Sequence, residues 1–269
     1  MLTRPNLKFF LILCLFFQVG QNNILAGPIP DSETINICAE DTGWPPFSIP
    51  EYTKGIPTGK LTGFNQELLT EMLTKHGINF KFIIKPWSRC LYEGIHGNIQ
   101  VVLDAAANEQ RRNDYILTEP IYNLTPVFFY NTKSQELFSK MPYSSELYSK
   151  GDLCGQSGYT YTNFGLDNSK IKMFSKDLKS VLDLVAKGRC SIGVARKEVL
   201  EIELKKFNDA KLITYSTIAE VEIEQFYWLL NKNYPFAKEL KNIFDTELKL
   251  SKSNGSYSRL IKTLDKHLK

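Results

Sequence analysis

The sequence predicts an α/β protein of two lobes joined by two extended strands, and three observations predict it. Strand and helix patterns alternate through the first half of the chain. The alternation returns in the second half. Two apolar extended segments, Pro126–Asn131 and Gln225–Leu230, carry the chain from one half to the other and back. Alternating β and α segments argue for parallel βαβ units with helices packed on a sheet.

The elements follow in order. Ile35, Ile37 and Ala39 alternate as a half-buried strand does. Phe64, Leu68, Leu69, Met72 and Leu73 fall on one helical face, and Gly77 ends that helix. Phe80–Ile84 is a second strand. A shorter helix carries Cys90, Leu91 and Ile95 and stops at Gly97, and Ile99–Leu103 is a third strand. In the second half, Cys154–Ser157 reads as a weak strand. Leu178, Val181, Leu182 and Val185 make a helix face closed by Gly188, and Cys190–Ala195 is the next strand. Pro235 starts a helix with Phe236, Leu240, Ile243, Phe244 and Leu248 inward. Asn254–Gly255 turns the chain, and Tyr257, Leu260, Ile261, Leu264 and Leu268 form a last helical face. The first lobe is expected over 27–128, the second over 129–222, and the return to the first over 223–269.

The first 26 residues read as a secretory signal peptide rather than part of the fold. Arg4 and Lys8 give a positive start, Phe9–Val19 is a short apolar core, and Leu25–Ala26 offers a small-residue cleavage site. That core is too short to span a bilayer comfortably. A lipid-anchored reading would use Cys14, but Leu13 before it is too large for a good lipid-attachment signal. The remainder is expected to be exported, soluble and monomeric. Its formal charge is small: the chain carries +4, and Arg4 and Lys8 supply two of those charges. Lysines are dispersed rather than clustered with aromatics, so no nucleic-acid partner is expected. Aromatic residues make up 12% of the chain, several of them beside turn residues, where they can line a pocket.

Four cysteines follow the signal segment: Cys38, Cys90, Cys154 and Cys190. An even number in an oxidising compartment suggests two disulfides, with three possible connectivities. If each half is a lobe, the pairs are Cys38–Cys90 and Cys154–Cys190, because a bond between lobes would lock the hinge. Zinc is not expected: no C-x-x-C occurs, and there are only three histidines. No cofactor is expected either.

A run of short motifs carries the functional reading. Ile35–Asn36–Ile37–Cys38 leads into Trp44–Pro45–Pro46–Phe47. Gly63–Phe64–Asn65 opens the first helix. Then come Pro86–Trp87–Ser88–Arg89, Gly97–Asn98–Ile99–Gln100, Glu109–Gln110–Arg111 and Thr118–Glu119–Pro120–Ile121–Tyr122. In this order and spacing the chain resembles the family 3 extracellular solute-binding proteins, the periplasmic receptors of amino-acid-type ABC transporters. The resemblance covers nearly all of the chain after the signal segment. It implies the two-lobed type II periplasmic binding fold, a periplasmic location, an ABC permease as partner, and a small ligand such as an amino acid or related carboxylate. The mechanism it implies is hinge closure.

Open α/β sheets bind ligands beyond the carboxyl ends of their strands. The residues there are Glu40, Asp41 and Trp44, then Trp87, Ser88 and Arg89, then Asp104, Asn108 and Arg111. The second half adds Tyr159, Thr160, Tyr161 and Arg196. From these, Arg111, Trp44, Asp104, Trp87, Tyr159, Thr160, Arg196 and Glu40 are the expected ligand-binding set. Arg111 lies six residues before Leu117, where the resemblance places the arginine that clamps a ligand carboxylate; a guanidinium fork suits that role. The resemblance makes Trp44 the stacking aromatic. It makes Gly158–Tyr159–Thr160 a helix N-terminus that meets the carboxylate.

Two departures stand out. The Ser/Thr-rich stretch usual before the arginine is Asp104–Ala105–Ala106–Ala107–Asn108 here. The second-lobe aspartate that usually holds the ligand ammonium is replaced by Arg196. Asp104 could take the ammonium, Asp104 could pair with Arg196 across the cleft, or Arg196 could bind a second anion. No enzyme activity is expected, since no G-x-S-x-G and no histidine in a cleft position occur, and Glu40 and Asp41 point apart on a strand end. A sensor that presents its ligand-bound form to a membrane receptor is the alternative. A lyase or hydrolase on the same fold is the further rival.

Overall fold

The computed structural model describes residues 28–138, 144–218 and 220–267, with side chains described as far as residue 263. The expected signal segment, the side chain of Leu264 and all of Leu268 lie outside the described residues.

The chain opens with β1 (Thr34–Glu40) and a hairpin of β2 (Ile49–Thr53) and β3 (Ile56–Thr62). Helix α1 (Phe64–Lys75), strand β4 (Asn79–Lys85), helix α2 (Trp87–His96) and strand β5 (Val101–Ala106) complete two βαβ units. Helix α3 (Glu109–Asp114) and the short strands β6 (Tyr115–Leu117) and β7 (Tyr122–Leu124) follow. Strand β8 (Pro126–Asn131) starts the second half. The one-turn helices α4 (Gln135–Phe138) and α5 (Ser144–Leu147) come next. Then come β9 (Leu153–Gln156), β10 (Ile171–Ser175), α6 (Leu178–Ala186), β11 (Ile192–Arg196), α7 (Lys197–Lys206) and β12 (Ile213–Thr217). Strand β13 (Glu224–Asn231) returns to the first half, and α8 (Ala237–Ser253) and α9 (Ser256–His267) finish the chain.

These strands form two main sheets. The first runs β4–β1–β5–β13–β6, with β7 also on β13; the second runs β10–β9–β11–β8–β12. Each has a parallel core: β1 with β4 and β5, and β9 with β10 and β11. Each gains one antiparallel strand from a connecting segment, β13 against β5 and β8 against β11. The segments expected as connectors are therefore interior strands. Pro126–Tyr130 is buried throughout, as a strand covered on both faces should be. The chain passes from the first sheet to the second at Thr125 and returns between β12 and β13. Thr125 is held by the second half: its N–H and hydroxyl donate to Glu198 at 2.9 and 2.8 Å.

Helix α1 shows how sequence sets these elements. Its apolar face, Phe64, Leu68, Leu69, Met72 and Leu73, is fully buried. Gly63 opens it at φ 103°, and a Cβ there would lie 2.6 Å from the Pro46 carbonyl oxygen, so only glycine fits. The helix ends as its glycine suggests, with Gly77 left-handed and the Ile78 N–H bonded to the Leu73 carbonyl at 3.0 Å. Cys38 of β1 is bonded to Cys90 of α2, and Cys154 of β9 to Cys190 just before β11. Each disulfide stays within its own half. Among the described residues no helix is long and apolar enough to cross a membrane.

Candidate ligand-binding site

Seven of the eight expected residues line one cavity between the halves. Glu40, Trp87, Asp104 and Arg111 come from the first half; Tyr159, Thr160 and Arg196 come from the second, with Ala106 and Phe226 completing the wall. The eighth, Trp44, stacks on Phe226 with ring centroids 5.6 Å apart and tilts against Tyr159 at 5.6 Å. The gap has room for about one water molecule.

Arg111 sits in the six-residue helix α3. Asn108 caps that helix, its Oδ1 accepting from the Arg111 N–H at 2.8 Å. The guanidinium donates from Nη1 to the Ala106 carbonyl at 2.7 Å and lies 5.3 Å from the Trp87 ring centre. It is 7% exposed. Burial, and then the nearby Arg196, pull its pKa down to about 10. No ion pair holds it among the described residues. Arg112 is exposed and covers Tyr227 instead.

Asp104 adopts φ 59°, unusual for a residue with a side chain. Its Oδ1 accepts from Asn65 at 2.6 Å and from the Tyr122 hydroxyl. Asn65 is itself fixed, donating to Ser48 at 3.0 Å and accepting from the Trp228 indole at 3.0 Å. Burial raises the Asp104 pKa to about 6, against the lowering effect of Ser48, Tyr122 and Asn65. Glu40 ends β1 and accepts from the Tyr159 hydroxyl across the cleft. Burial raises its pKa further, to about 8.

Two more bonds span the cleft. The Trp87 indole donates to the Gly158 carbonyl at 3.0 Å, and Asn163 donates to the Ala107 carbonyl at 2.9 Å. Thr160 is buried, with its hydroxyl 3.0 Å from that of Thr162. The helix N-terminus expected here is only one 3-10 turn, Thr162–Phe164, so it lacks the aligned amides of a longer helix.

Of the alternatives left open for Arg196, the structure pairs it with neither Asp104 nor an empty gap but with Glu224. Its Nε and Nη2 donate to Glu224 at 2.7 and 3.1 Å, and Nη2 also donates to the Thr160 carbonyl at 2.8 Å. The rings of Tyr161 and Phe164 pack on its guanidinium at 5.1 and 4.7 Å. Burial works against its charge, but Glu224 outweighs burial and the pKa rises. Glu224 is the first residue of β13, so the pair bridges the halves beside a crossing.

The remaining residues at strand ends play supporting parts. Ser88 and Arg89 are exposed, and Tyr161 is core, its hydroxyl accepting from the Gln156 N–H at 2.8 Å. Sequence reasoning missed Glu224, Phe226 and Asn163. Glu224 left one faint signal: an acid at the head of an apolar strand that becomes fully buried. Asn65 and Tyr122 stood in motifs but had no role assigned. Among the described residues, no three His, Cys, Asp or Glu side chains gather where they could hold a metal ion.

The family model of the bacterial extracellular solute-binding proteins, family 3, matches residues 35–264. The chain belongs to this family. No curated protein matches it. Among solved structures it is similar to the amino acid ABC transporter substrate-binding protein AbpA from Streptococcus pneumoniae, bound to L-arginine. That match has 13% identity, covers 87% of this chain and 95% of that one, and has a TM-score of 0.67. A histidine kinase sensor domain matches with 16% identity, 86% and 95% coverage and a TM-score of 0.69. The ancestral amino-acid-binding protein AncCDT-1, a precursor of cyclohexadienyl dehydratase, matches with 19% identity, 86% and 94% coverage and a TM-score of 0.66. At these identities the likeness shows the fold: this family 3 chain has the two-lobed type II architecture.

Proposed function

We propose that this family 3 chain is a periplasmic solute-binding protein that captures a small carboxylate-bearing solute, an amino acid or a related compound, and delivers it to an ABC permease. The observation that carries the reading is Arg111. A buried guanidinium whose only hydrogen bond among the described residues is to a carbonyl, facing a cleft between lobes, is matched by a carboxylate. The eight site residues, Glu40, Trp44, Trp87, Asp104, Arg111, Tyr159, Thr160 and Arg196, belong to the ligand cage, with Arg196 acting through Glu224 rather than on the ligand. The lobes turn about Thr125 and the link between β12 and β13, and the protein works as a monomer.

A sensing role uses the same cleft, and the kinase sensor domain of similar fold keeps it in view. Co-purification of the ligand-loaded chain with a permease, or with a receptor kinase, separates the two. The dehydratase precursor of similar fold keeps an enzyme in view as well. Direct assay of amino and keto acids for turnover separates that reading.

A thermal-shift screen over amino acids, amines and small carboxylates tests the proposal, because a ligand that binds the folded state stabilises it. At least one carboxylate should raise the melting temperature of the wild type and fail to raise that of Arg111→Ala. Equal shifts in both proteins would remove the carboxylate reading.

A further inference from the structure

The cleft holds two carboxylates from the first sheet, and they differ in where their partners live. Asp104 is served by Asn65 of α1 and Tyr122 of β7, with Ser48 close by. These groups all pack with the first sheet, so they travel with Asp104 whatever the lobes do. Glu40 is served from across the cleft by Tyr159, on the loop after β9. Among the described residues its own side of the cleft offers only Thr42 as a donor, while Asp41 and Asp104 repel its charge. Glu40 is thus the carboxylate whose partner leaves when the lobes part. Burial raises both, Glu40 to about 8 and Asp104 to about 6; Glu40 has fewer donors to offset it and two carboxylates that repel its charge.

The surroundings of Tyr159 suit a cation. Its ring lies between two indoles, with centroids 5.6 Å from Trp44 and 6.2 Å from Trp87. Aromatic faces attract a positive charge placed over them. Arg196, at the position where an acid was expected to hold the ligand ammonium, is itself cationic and already tied to Glu224.

Resting on the reading of Arg111 as the carboxylate clamp, we infer that Glu40 takes the positively charged amino group of the ligand, which replaces the Tyr159 hydroxyl between the two indoles. An ammonium brings the charge and the donors that buried Glu40 lacks. Both ligand charges are then read from the first lobe, the carboxylate at Arg111 and the amine at Glu40. Tyr159 acts as an internal competitor that occupies Glu40 until the amine displaces its hydroxyl. A ligand without the amine leaves Glu40 with Tyr159 alone, which is a selection against it.

The experiment is titration calorimetry on the full chain with the common L-amino acids as probes. Each binder is paired with its 2-hydroxy acid, which keeps the carboxylate and lacks the amino group. Glu40→Gln should fold as the wild type does, because the side chain is isosteric and the native carboxyl holds its proton near neutral pH. It should weaken amino-bearing probes tenfold or more. It should leave the counterpart that lacks the relevant amine within twofold of its wild-type affinity. Tyr159→Phe should bind the amino-bearing probe more tightly, since the competing hydroxyl is gone. The inference is overturned if Glu40→Gln binds every amino-bearing probe as tightly as the wild type. It is overturned equally if Tyr159→Phe gives no gain, if the wild type prefers the deaminated counterparts, or if no L-amino acid binds. Arg111→Ala separates the two readings: lost binding there preserves the carboxylate clamp even when Glu40 fails, whereas unchanged binding removes the clamp itself.

Discussion

Arg111 and Arg196 are both buried arginines in one cleft, and their partners give them opposite roles. Arg111 bonds a carbonyl and faces the gap, so its charge is available. Truncating it should cost about 3 kcal/mol or more of ligand binding, as expected for a desolvated charge pair, while folding changes little. Arg112→Ala, on the exposed neighbour, should leave binding intact; equal small effects in calorimetry would refute the distinction. Arg196 is committed to Glu224, with both side chains almost fully buried. Glu224→Gln leaves that arginine without its counter-charge and should cost about 3–5 kcal/mol of stability in denaturant unfolding. A loss below 1 kcal/mol would show that the pair is solvated. Arg111 was legible in the sequence because a fixed spacing from Leu117 marks it. The partner of Arg196 was not, because Glu224 stands 28 residues further on and heads a strand of the other sheet, so only the packing of the two halves brings it to the end of β11.

At the scale of elements, the disulfides and one cap position the site. Cys38 lies two residues before Glu40, and its bond to Cys90 ties that strand end to the helix that begins at Trp87. The bonds close loops spanning 52 and 36 residues, so each should stabilise the fold by about 4 kcal/mol if unstrained. Removing Cys38–Cys90 should also weaken ligand binding, whereas removing Cys154–Cys190 should act mainly on stability; unfolding curves and calorimetry on both double-serine variants check this. Asn108→Ala removes the cap of α3 and should cost about 1 kcal/mol of stability, with a further loss of affinity because Arg111 rides on that helix. Elements with a long apolar face, such as α1 and α8, were legible from periodicity. The β2–β3 hairpin was not, because its strands are largely exposed and bury only Leu61. Helix α7 was hidden by its charge, with six of its ten residues Lys or Glu.

At the scale of the whole molecule, closure should depend on pH through Glu40. In the closed form described here its carboxyl lies against Tyr159, with Asp41 and Asp104 adding repulsion and Arg111 and Arg196 lining the same cavity. Burial raises its pKa from an ordinary 4.5 to about 8. An open cleft would return Glu40 to water and to its ordinary value. The closed form therefore binds a proton more tightly than the open one. The contribution to closure is fully present below about 4.5 and is lost as pH rises through about 8. Asp104 shifts in the same sense, but it keeps its Asn65 and Tyr122 partners in both forms and so contributes less. Without ligand, small-angle scattering should give a smaller radius of gyration at pH 5.5 than at pH 9. Glu40→Gln, which cannot ionise, should stay at the smaller radius at both. Adding the true ligand should close the wild type at pH 9 as well, because a ligand shifts such an equilibrium by its greater affinity for the closed form. A wild-type radius unchanged between the two pH values, and unchanged by a tight ligand, would mean a rigid cleft in which Glu40 keeps its burial at every pH.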